Sequence, residues 1–121
     1  MMKFITKKIH AYLDYPVAIA LMILPLILDL GSSNVIAYQL SVVTGVAAFI
    51  LTLLTDHQLG LYRVVPYKYH LIVDFTVGLI FVLAPFIFSL KGIDATYYWV
   101  NGIAVLTVVS LHKPENEVRL F

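Results

Sequence analysis

The sequence contains no cysteine, so disulfide bonds, thiolate metal sites and iron–sulfur clusters are excluded. Charge is also scarce: 12% of the 121 residues are Asp, Glu, Lys or Arg, about half the share in a soluble domain. The formal net charge of +1 leaves no basic surface for nucleic acid. The composition is instead 61% hydrophobic, which is too apolar for a water-soluble protein, and the chain is too short for a second domain.

Hydropathy divides the chain into four apolar segments, each close to the ~20 residues that cross a bilayer. They cover residues 9–30, 35–54, 70–90 and 95–111. Short polar turns at 31–34 and 91–94 join the segments in pairs. Asp94 is expected to be solvated and to cap the fourth helix. We therefore predict an all-α membrane protein with four transmembrane helices in a single domain, 1–121.

The distribution of lysine and arginine predicts the orientation. Seven of these residues fall on the side of the N-terminus, the long middle connection and the tail, and one falls in a short turn. They are Lys3, Lys7, Lys8, Arg63, Lys68, Lys113 and Arg119 on the first side, and Lys91 on the second. The positive-inside rule then places both termini in the cytoplasm, in a bacterial inner membrane. The first segment is long for a signal peptide, so we interpret it as a retained helix.

A shift of 60 residues superimposes the two halves of the sequence. Seven residues of the first half recur: Lys8, His10, Asp14, Val17, Pro25, Ile27 and Leu30 match Lys68, His70, Asp74, Val77, Pro85, Ile87 and Leu90. The repeats cover 8–55 and 68–112, separated by a linker at 56–67 and followed by a polar tail at 113–121. Since two helices per repeat preserve orientation, we predict two tandem helical hairpins related by a pseudo-two-fold axis along the membrane normal.

Prolines and glycines predict how the helices bend and pack. Pro25 and Pro85 each remove one backbone hydrogen bond, and we expect them to kink their helices near mid-membrane. Gly45, Gly78 and Gly102 are expected to allow close contact between helices.

The motif Lys-x-His-x-x-x-Asp occurs twice, as KIHAYLD and KYHLIVD, each time where an apolar run begins. The spacing of four places His10 and Asp14 on one helix face, and likewise His70 and Asp74. Ionised carboxylates are costly in a membrane and usually turn towards a partner. The repeat therefore predicts that the two aspartates converge, with the histidines above or between them.

Three interpretations of this cluster stay open. Two imidazole nitrogens and two carboxylate oxygens form a plausible tetrahedral set for zinc or a similar divalent ion. Alternatively, His10 pairs with Asp74 and His70 with Asp14, so that the cluster is only a clasp between two helices in a structural or interaction protein. The third interpretation is haem held by His10 and His70, or a proton relay through the same groups.

Other polar residues are weaker candidates. His57, His112 and Asp56 fall on the same side of the membrane and could add ligands, although the two histidines are expected to be solvated. No serine has a His–acid pattern around it and no Gly-rich phosphate loop occurs, which speaks against an enzyme. The expected partners are the lipid bilayer and either a second copy or another membrane protein.

Each half of the sequence has an Asp near the start of a helix, a Pro eleven residues later, a short turn and a second helix. A half with these features resembles the SPW-repeat family of small bacterial membrane proteins. The resemblance covers nearly the whole chain and rests on His10, Asp14, Pro25, His70, Asp74 and Pro85, and on the linker TDHQLGLYRVVP at 55–66. Of the tripeptide that names the family, only the proline is kept, in LPL and APF. The resemblance implies a doubled two-helix unit and supplies no activity. The paired HxxxD motifs are also similar, in the site alone, to the transport site of cation diffusion facilitator zinc transporters.

Overall fold

The computed structural model describes residues 5–56 and 59–112, and within these ranges the chain forms four α-helices. They are α1 (Lys7–Ile27), α2 (Ile36–Leu54), α3 (Tyr67–Ile87) and α4 (Ile93–Ser110). α1 packs along α2 and α3 packs along α4, so the helices form two hairpins in sequence. The all-α prediction is confirmed for the described residues, and the predicted tail at 113–121 lies outside them.

Three of the helices, α1 to α3, are long and apolar enough to cross a membrane. Only 28%, 22% and 28% of their apolar windows are buried inside the protein, so most of their hydrophobic surface faces outward. Lipid tails are the surroundings that such surfaces fit. α4 has 18 residues but includes Asp94 and Asn101, and its membrane crossing is not established by length and composition.

Packing within each hairpin depends on a glycine in its second helix. A Cβ atom on Gly45 would lie 2.8 Å from the Ala18 carbonyl oxygen, and one on Gly102 would lie 3.0 Å from the Gly78 carbonyl oxygen. Such contacts are too close for any larger residue, so the prediction of close helix contact at these glycines is confirmed. Ala18 and Gly78 are related by the shift of 60 residues, whereas Gly45 and Gly102 are 57 residues apart.

α1 and α3 end in the same way. The Leu30 N–H donates to the Pro25 carbonyl oxygen at 2.9 Å, and the Leu90 N–H donates to that of Pro85 at 3.0 Å. In both cases the residue before the leucine has a φ of 54°. These features form a Schellman motif, which ends a helix through one left-handed residue. Both prolines thus lie in the last helical turn, nearer the helix end than the sequence suggested, and the kink itself stays a prediction.

The carbonyl group released by the first proline finds a side-chain partner. Because Pro25 has no N–H, the Leu21 carbonyl oxygen loses its usual helical donor. The Ser41 hydroxyl donates to this oxygen at 2.7 Å and lies 2.6 Å from the Tyr97 hydroxyl. Since the Ser41 hydrogen is used on the carbonyl, Tyr97 donates to Ser41. This chain of hydrogen bonds joins α1, α2 and α4.

One buried acid connects the hairpins at the end that carries the two short turns, which we call the turn end. Asp94 is fully buried, and its Oδ1 accepts the Gly31 N–H at 2.9 Å. Its Oδ2 accepts the N–H of Ser33 at 3.0 Å and the Ser33 hydroxyl. The expectation of a solvated capping residue is therefore wrong. Gly92 takes the N-cap position, and Asp94 reaches across to the turn between α1 and α2.

Candidate metal centre

Two histidines and two aspartates meet at the opposite end, where α1 and α3 begin. We call His10, Asp14, His70 and Asp74 the quartet, and this end the quartet end. The start of α1 is fixed by the Thr6 hydroxyl, which accepts the N–H of Ile9 at 3.1 Å. Each histidine and aspartate of a pair is separated by one helical turn, so both side chains leave the same helix face.

The Nε2 atom of each histidine lies between both carboxylates. His10 Nε2 is 2.8 Å from Asp74 Oδ2 and 3.0 Å from Asp14 Oδ1. His70 Nε2 is 3.1 Å from Asp14 Oδ2 and 3.4 Å from Asp74 Oδ2. For both histidines the shorter contact crosses to the other helix. One ligand atom from each of the four residues lies within 4.8 Å of the others, so the aspartates converge as the repeat predicted.

The imidazoles are more enclosed than the carboxylates. The side chains of His10 and His70 are 3% and 2% exposed, against 12% for Asp14 and 21% for Asp74. With both histidines neutral, the four groups carry a charge of −2 in a poorly hydrated place. Such a charge needs a cation or bound protons to be stable there.

The threonine that directly follows α2 fixes the role of His70. Thr55 Oγ1 donates to the Leu51 carbonyl oxygen at 2.6 Å and lies 2.7 Å from His70 Nδ1. Because the hydroxyl hydrogen is used on the carbonyl, His70 Nδ1 carries a hydrogen and donates it to Thr55. A neutral His70 then presents the lone pair of Nε2 to the two carboxylates, an arrangement that repels unless a cation lies between them.

Two aromatic residues cover the other face of His10. Its ring centre is 6.0 Å from that of Tyr67 and 5.6 Å from that of His112, and the Tyr67 hydroxyl lies 2.7 Å from His112 Nε2. The N–H of Ile5 donates to the Leu111 carbonyl oxygen, which holds the end of α4 at this position. Among the described residues, His10 Nδ1 has no hydrogen-bond partner.

The nitrogen–oxygen distances within the quartet are compatible with ligands around a tetrahedral ion and also with direct hydrogen bonds. Bonds of about 2.0–2.1 Å to a tetrahedral ion give ligand-to-ligand distances of about 3.3–3.4 Å. The four nitrogen–oxygen contacts run from 2.8 to 3.4 Å, so the longest matches that value and the shortest has the length of a direct hydrogen bond. Asp14 Oδ2 lies 3.1 Å from His70 Nε2 yet makes no hydrogen bond among the described residues. The two atoms are close but do not have the angles of a hydrogen bond, as expected for two ligands of one ion.

The same geometry argues against haem. Bis-histidine ligation places the porphyrin plane between the two nitrogens. Here both Nε2 atoms are within 3.4 Å of aspartate oxygens, which occupy that space. The two imidazole planes are also perpendicular, at 88°, with ring centres 5.6 Å apart.

The two accessory candidates that the structure describes, His112 and Asp56, are not part of this group. His57 lies outside the described residues. His112 is buried beside His10 instead of solvated, and it bonds Tyr67 without entering the set of potential ligands. Asp56 is exposed, and its N–H donates to the Val65 carbonyl oxygen. This bond joins the segment after α2 to the segment before α3 and so helps to place Thr55 against His70.

Comparison of the chain with protein-family models, with curated proteins and with solved structures finds no match. The resemblance to SPW-repeat proteins therefore stays a prediction. The role of the quartet has to be argued from its own geometry.

A partly open cavity of about 350 Å³ separates the two hairpins between the turn end and the quartet. All four helices line it, and the quartet forms one of its ends. Its lining is mainly apolar, and it is partly open to the surroundings of the protein. A cavity of this size is consequently expected to hold molecules from its surroundings.

The sequence indicated the quartet but missed its supporting residues. The sequence did not assign Thr55 or Tyr67 a role at this site. The only signal for Thr55 was a hydroxyl at the end of an apolar helix, a position that many threonines occupy. The cavity had no sequence signal, because its lining residues are the same valines, leucines and alanines that face lipid elsewhere.

Proposed function

We propose that the protein is an integral membrane protein that holds one divalent metal ion in the quartet. Four side chains from two helices supply two imidazole nitrogens and two carboxylate oxygens within 4.8 Å of one another. A divalent cation balances their charge of −2 and gives every ligand atom a partner.

The observation that carries this proposal is the hydrogen bond between His70 and Thr55. A histidine that donates its Nδ1–H to an outer partner while Nε2 faces the ligand set is the usual arrangement at protein metal sites. Thr55 is buried at the end of α2 and is held by the Leu51 carbonyl oxygen, so the position of α2 sets the orientation of His70.

The donor set favours zinc or a similar first-row ion. Zinc accepts tetrahedral sets of imidazole and carboxylate, whereas magnesium and calcium prefer six or more oxygen ligands. Four protein ligands close the coordination sphere, which suits an ion that is retained more than an ion that performs hydrolysis. The proposed role is therefore binding, and the chain has no proposed enzymatic activity.

The finer topology is part of the same proposal. We take α4 as the fourth span because its polar groups have partners inside the protein: Asp94 binds the α1–α2 turn, and the Asn101 amide donates to the Tyr97 carbonyl oxygen at 2.8 Å. The repeat supports a pseudo-two-fold axis that passes through the quartet. The excess of lysine and arginine supports placing the quartet end and both termini on the cytoplasmic side of a bacterial inner membrane.

Elemental analysis tests the metal proposal. The wild-type protein, loaded with zinc in lipid nanodiscs and then dialysed, should retain one ion per chain. His70→Ala should lose it, and Asp14→Asn, which keeps the side-chain volume, should lose most of it. His112→Asn is the matched control, because it removes a buried histidine at the same end that lies outside the quartet. Wild-type protein that retains no ion, or His70→Ala that retains as much as the wild type, would contradict the proposal.

A clasp without metal is the second candidate. It is favoured by the hydrogen bond of 2.8 Å between His10 Nε2 and Asp74 Oδ2, which needs no ion. In that case both histidines are protonated and the quartet is neutral as two ion pairs. The clasp predicts an unfolding temperature that is indifferent to chelators, whereas the metal site predicts a lower one after chelation, because the ion binds the folded state.

A further inference from the structure

We infer that the cavity between the hairpins binds the aliphatic chain of a single-chain amphiphile, whose head group donates hydrogen bonds to the carboxylates of the quartet. This ligand is distinct from the metal ion. The part of the site that holds the chain lies away from the quartet, so it does not depend on whether a metal is bound.

The lining matches a flexible alkyl chain. Apart from the quartet, the described lining residues are Val, Leu and Ala with two threonines and one asparagine, and no Phe, Tyr or Trp is among them. Aromatic ligands usually meet aromatic side chains that stack on them. A lining of aliphatic side chains makes dispersion contacts along the whole length of an alkyl chain and has no feature that favours an aromatic ring.

Two of the three polar side chains within the wall donate hydrogen bonds to their own helices. The Thr52 hydroxyl donates to the Ala48 carbonyl oxygen at 2.7 Å, and the Asn101 amide donates to the Tyr97 carbonyl oxygen at 2.8 Å. These donors are therefore not directed at a ligand. The strongest polar features that face the cavity lie at its quartet end.

The carboxylates are the side of the quartet that remains accessible. Asp14 and Asp74 are 12% and 21% exposed, whereas both histidine side chains are at most 3% exposed. Both histidine contacts of Asp74 use Oδ2, so Oδ1 is available as an acceptor. A hydroxyl or amine head group can donate to it, whereas an acid head group would bring negative oxygens against a carboxylate.

The volume and the length of the cavity fit a ligand with a single alkyl chain. A cavity of about 150 Å³ holds benzene, so by simple scaling 350 Å³ holds roughly 14 non-hydrogen atoms. The α1 part of the lining runs from His10 to Leu21, which is about 16 Å of helix. A twelve-carbon chain with one polar atom fits both values. Because the cavity is partly open between the hairpins, such a molecule can enter from the membrane.

Photolabelling tests this inference on the full chain in nanodiscs. The probe is a long-chain alcohol that carries a diazirine on its alkyl chain, with labelled positions mapped by mass spectrometry. We expect labels to concentrate on cavity positions such as Val43 and Ala47. We also expect 1-dodecanol to suppress this labelling at a concentration at least tenfold lower than laurate does.

A pair of valines in α2 provides the matched comparison. Val43 lines the cavity, whereas Val46 does not; they are 65% and 43% exposed, respectively. Val43→Phe should reduce cavity labelling at least fivefold, and Val46→Phe should leave it unchanged. Labelling spread evenly over lipid-facing positions, or equal labelling of the two variants, would overturn the cavity as a binding site. Laurate competing as well as dodecanol would overturn the assignment of the head group.

Discussion

Acidic side chains join the two hairpins at both ends of the molecule, but their partners differ in kind. At the turn end, Asp94 accepts three hydrogen bonds from the N–H groups of Gly31 and Ser33 and from the Ser33 hydroxyl. These donors carry their hydrogens permanently, so the contact is complete without any ligand. At the quartet end, Asp14 and Asp74 face two imidazoles, which are donors only when Nε2 is protonated and metal ligands when it is not. The turn end is therefore a structural joint, and we propose that the joint at the quartet end depends on a cation.

The largest effect is expected at the turn end. Asp94→Ala removes the acceptor of three part-buried hydrogen bonds, and at about 1 kcal/mol each we expect a loss of about 3 kcal/mol in the free energy of unfolding. Denaturant unfolding in detergent micelles measures it. The loss should be the same with and without chelator, because this joint uses no ion.

Asp94→Asn serves as the control for volume, since the amide replaces one acceptor oxygen by a donor and should cost less than the alanine. A loss for Asp94→Ala that disappeared when the metal was chelated would mean that the two ends are not independent joints.

The next effect concerns the threonine that orients His70. Thr55→Val keeps the shape of the side chain but removes the hydroxyl that accepts from His70 Nδ1. Loss of such an outer partner typically weakens metal binding 10- to 100-fold, or about 1.4–2.7 kcal/mol. Competition with a zinc-sensitive dye measures the dissociation constant.

Thr52→Val is the matched control for this prediction. Thr52 is equally buried one turn earlier in α2, and its hydroxyl bonds the Ala48 carbonyl oxygen, with no bond to a histidine. Equal dissociation constants for the two valine variants would show that Thr55 does not support a metal ligand.

The smallest effect concerns the hydrogen bond beside the first proline. Ser41→Ala leaves the Leu21 carbonyl oxygen without a donor and should destabilise the protein by about 1 kcal/mol. In a Pro25→Ala background the new N–H of residue 25 donates to that oxygen, so the serine should matter less. A double-mutant cycle measures this coupling. Strict additivity would mean that Ser41 does not compensate for the proline.

The sequence was sufficient for the helices because hydrophobic runs and turns are local signals. Their bounds moved by up to three residues, since caps decide where a helix begins and ends. Thr6 starts α1 ahead of the apolar run, and the left-handed residues after α1 and α3 end those helices early. The quartet was also predictable, because two matching motifs 60 residues apart each place a histidine and an aspartate at the start of an apolar helix, where such groups need a partner.

What could not be predicted depends on contacts between distant segments. Asp94 reaches Gly31 and Ser33, more than 60 residues away, and nothing near it in sequence distinguishes it from a capping residue. His112 looked solvated because it follows the last apolar run. It is buried because the chain near Ile5 pairs with the end of α4. The pairing near Ile5 has an equivalent in the other half, where Val65 pairs with Thr55 at the end of α2. Neither pairing was visible in the sequence, because Ile5 and Val65 are not among the matched positions of the repeat.

X-ray absorption at the zinc edge tests the central claim most directly, on zinc-loaded protein in nanodiscs. The account predicts four nitrogen or oxygen neighbours at about 2.0–2.1 Å, with the multiple scattering of two imidazoles, and the loss of this spectrum in His70→Ala. A six-coordinate hydrated ion without imidazole scattering, or a spectrum that is unchanged in His70→Ala, would contradict it.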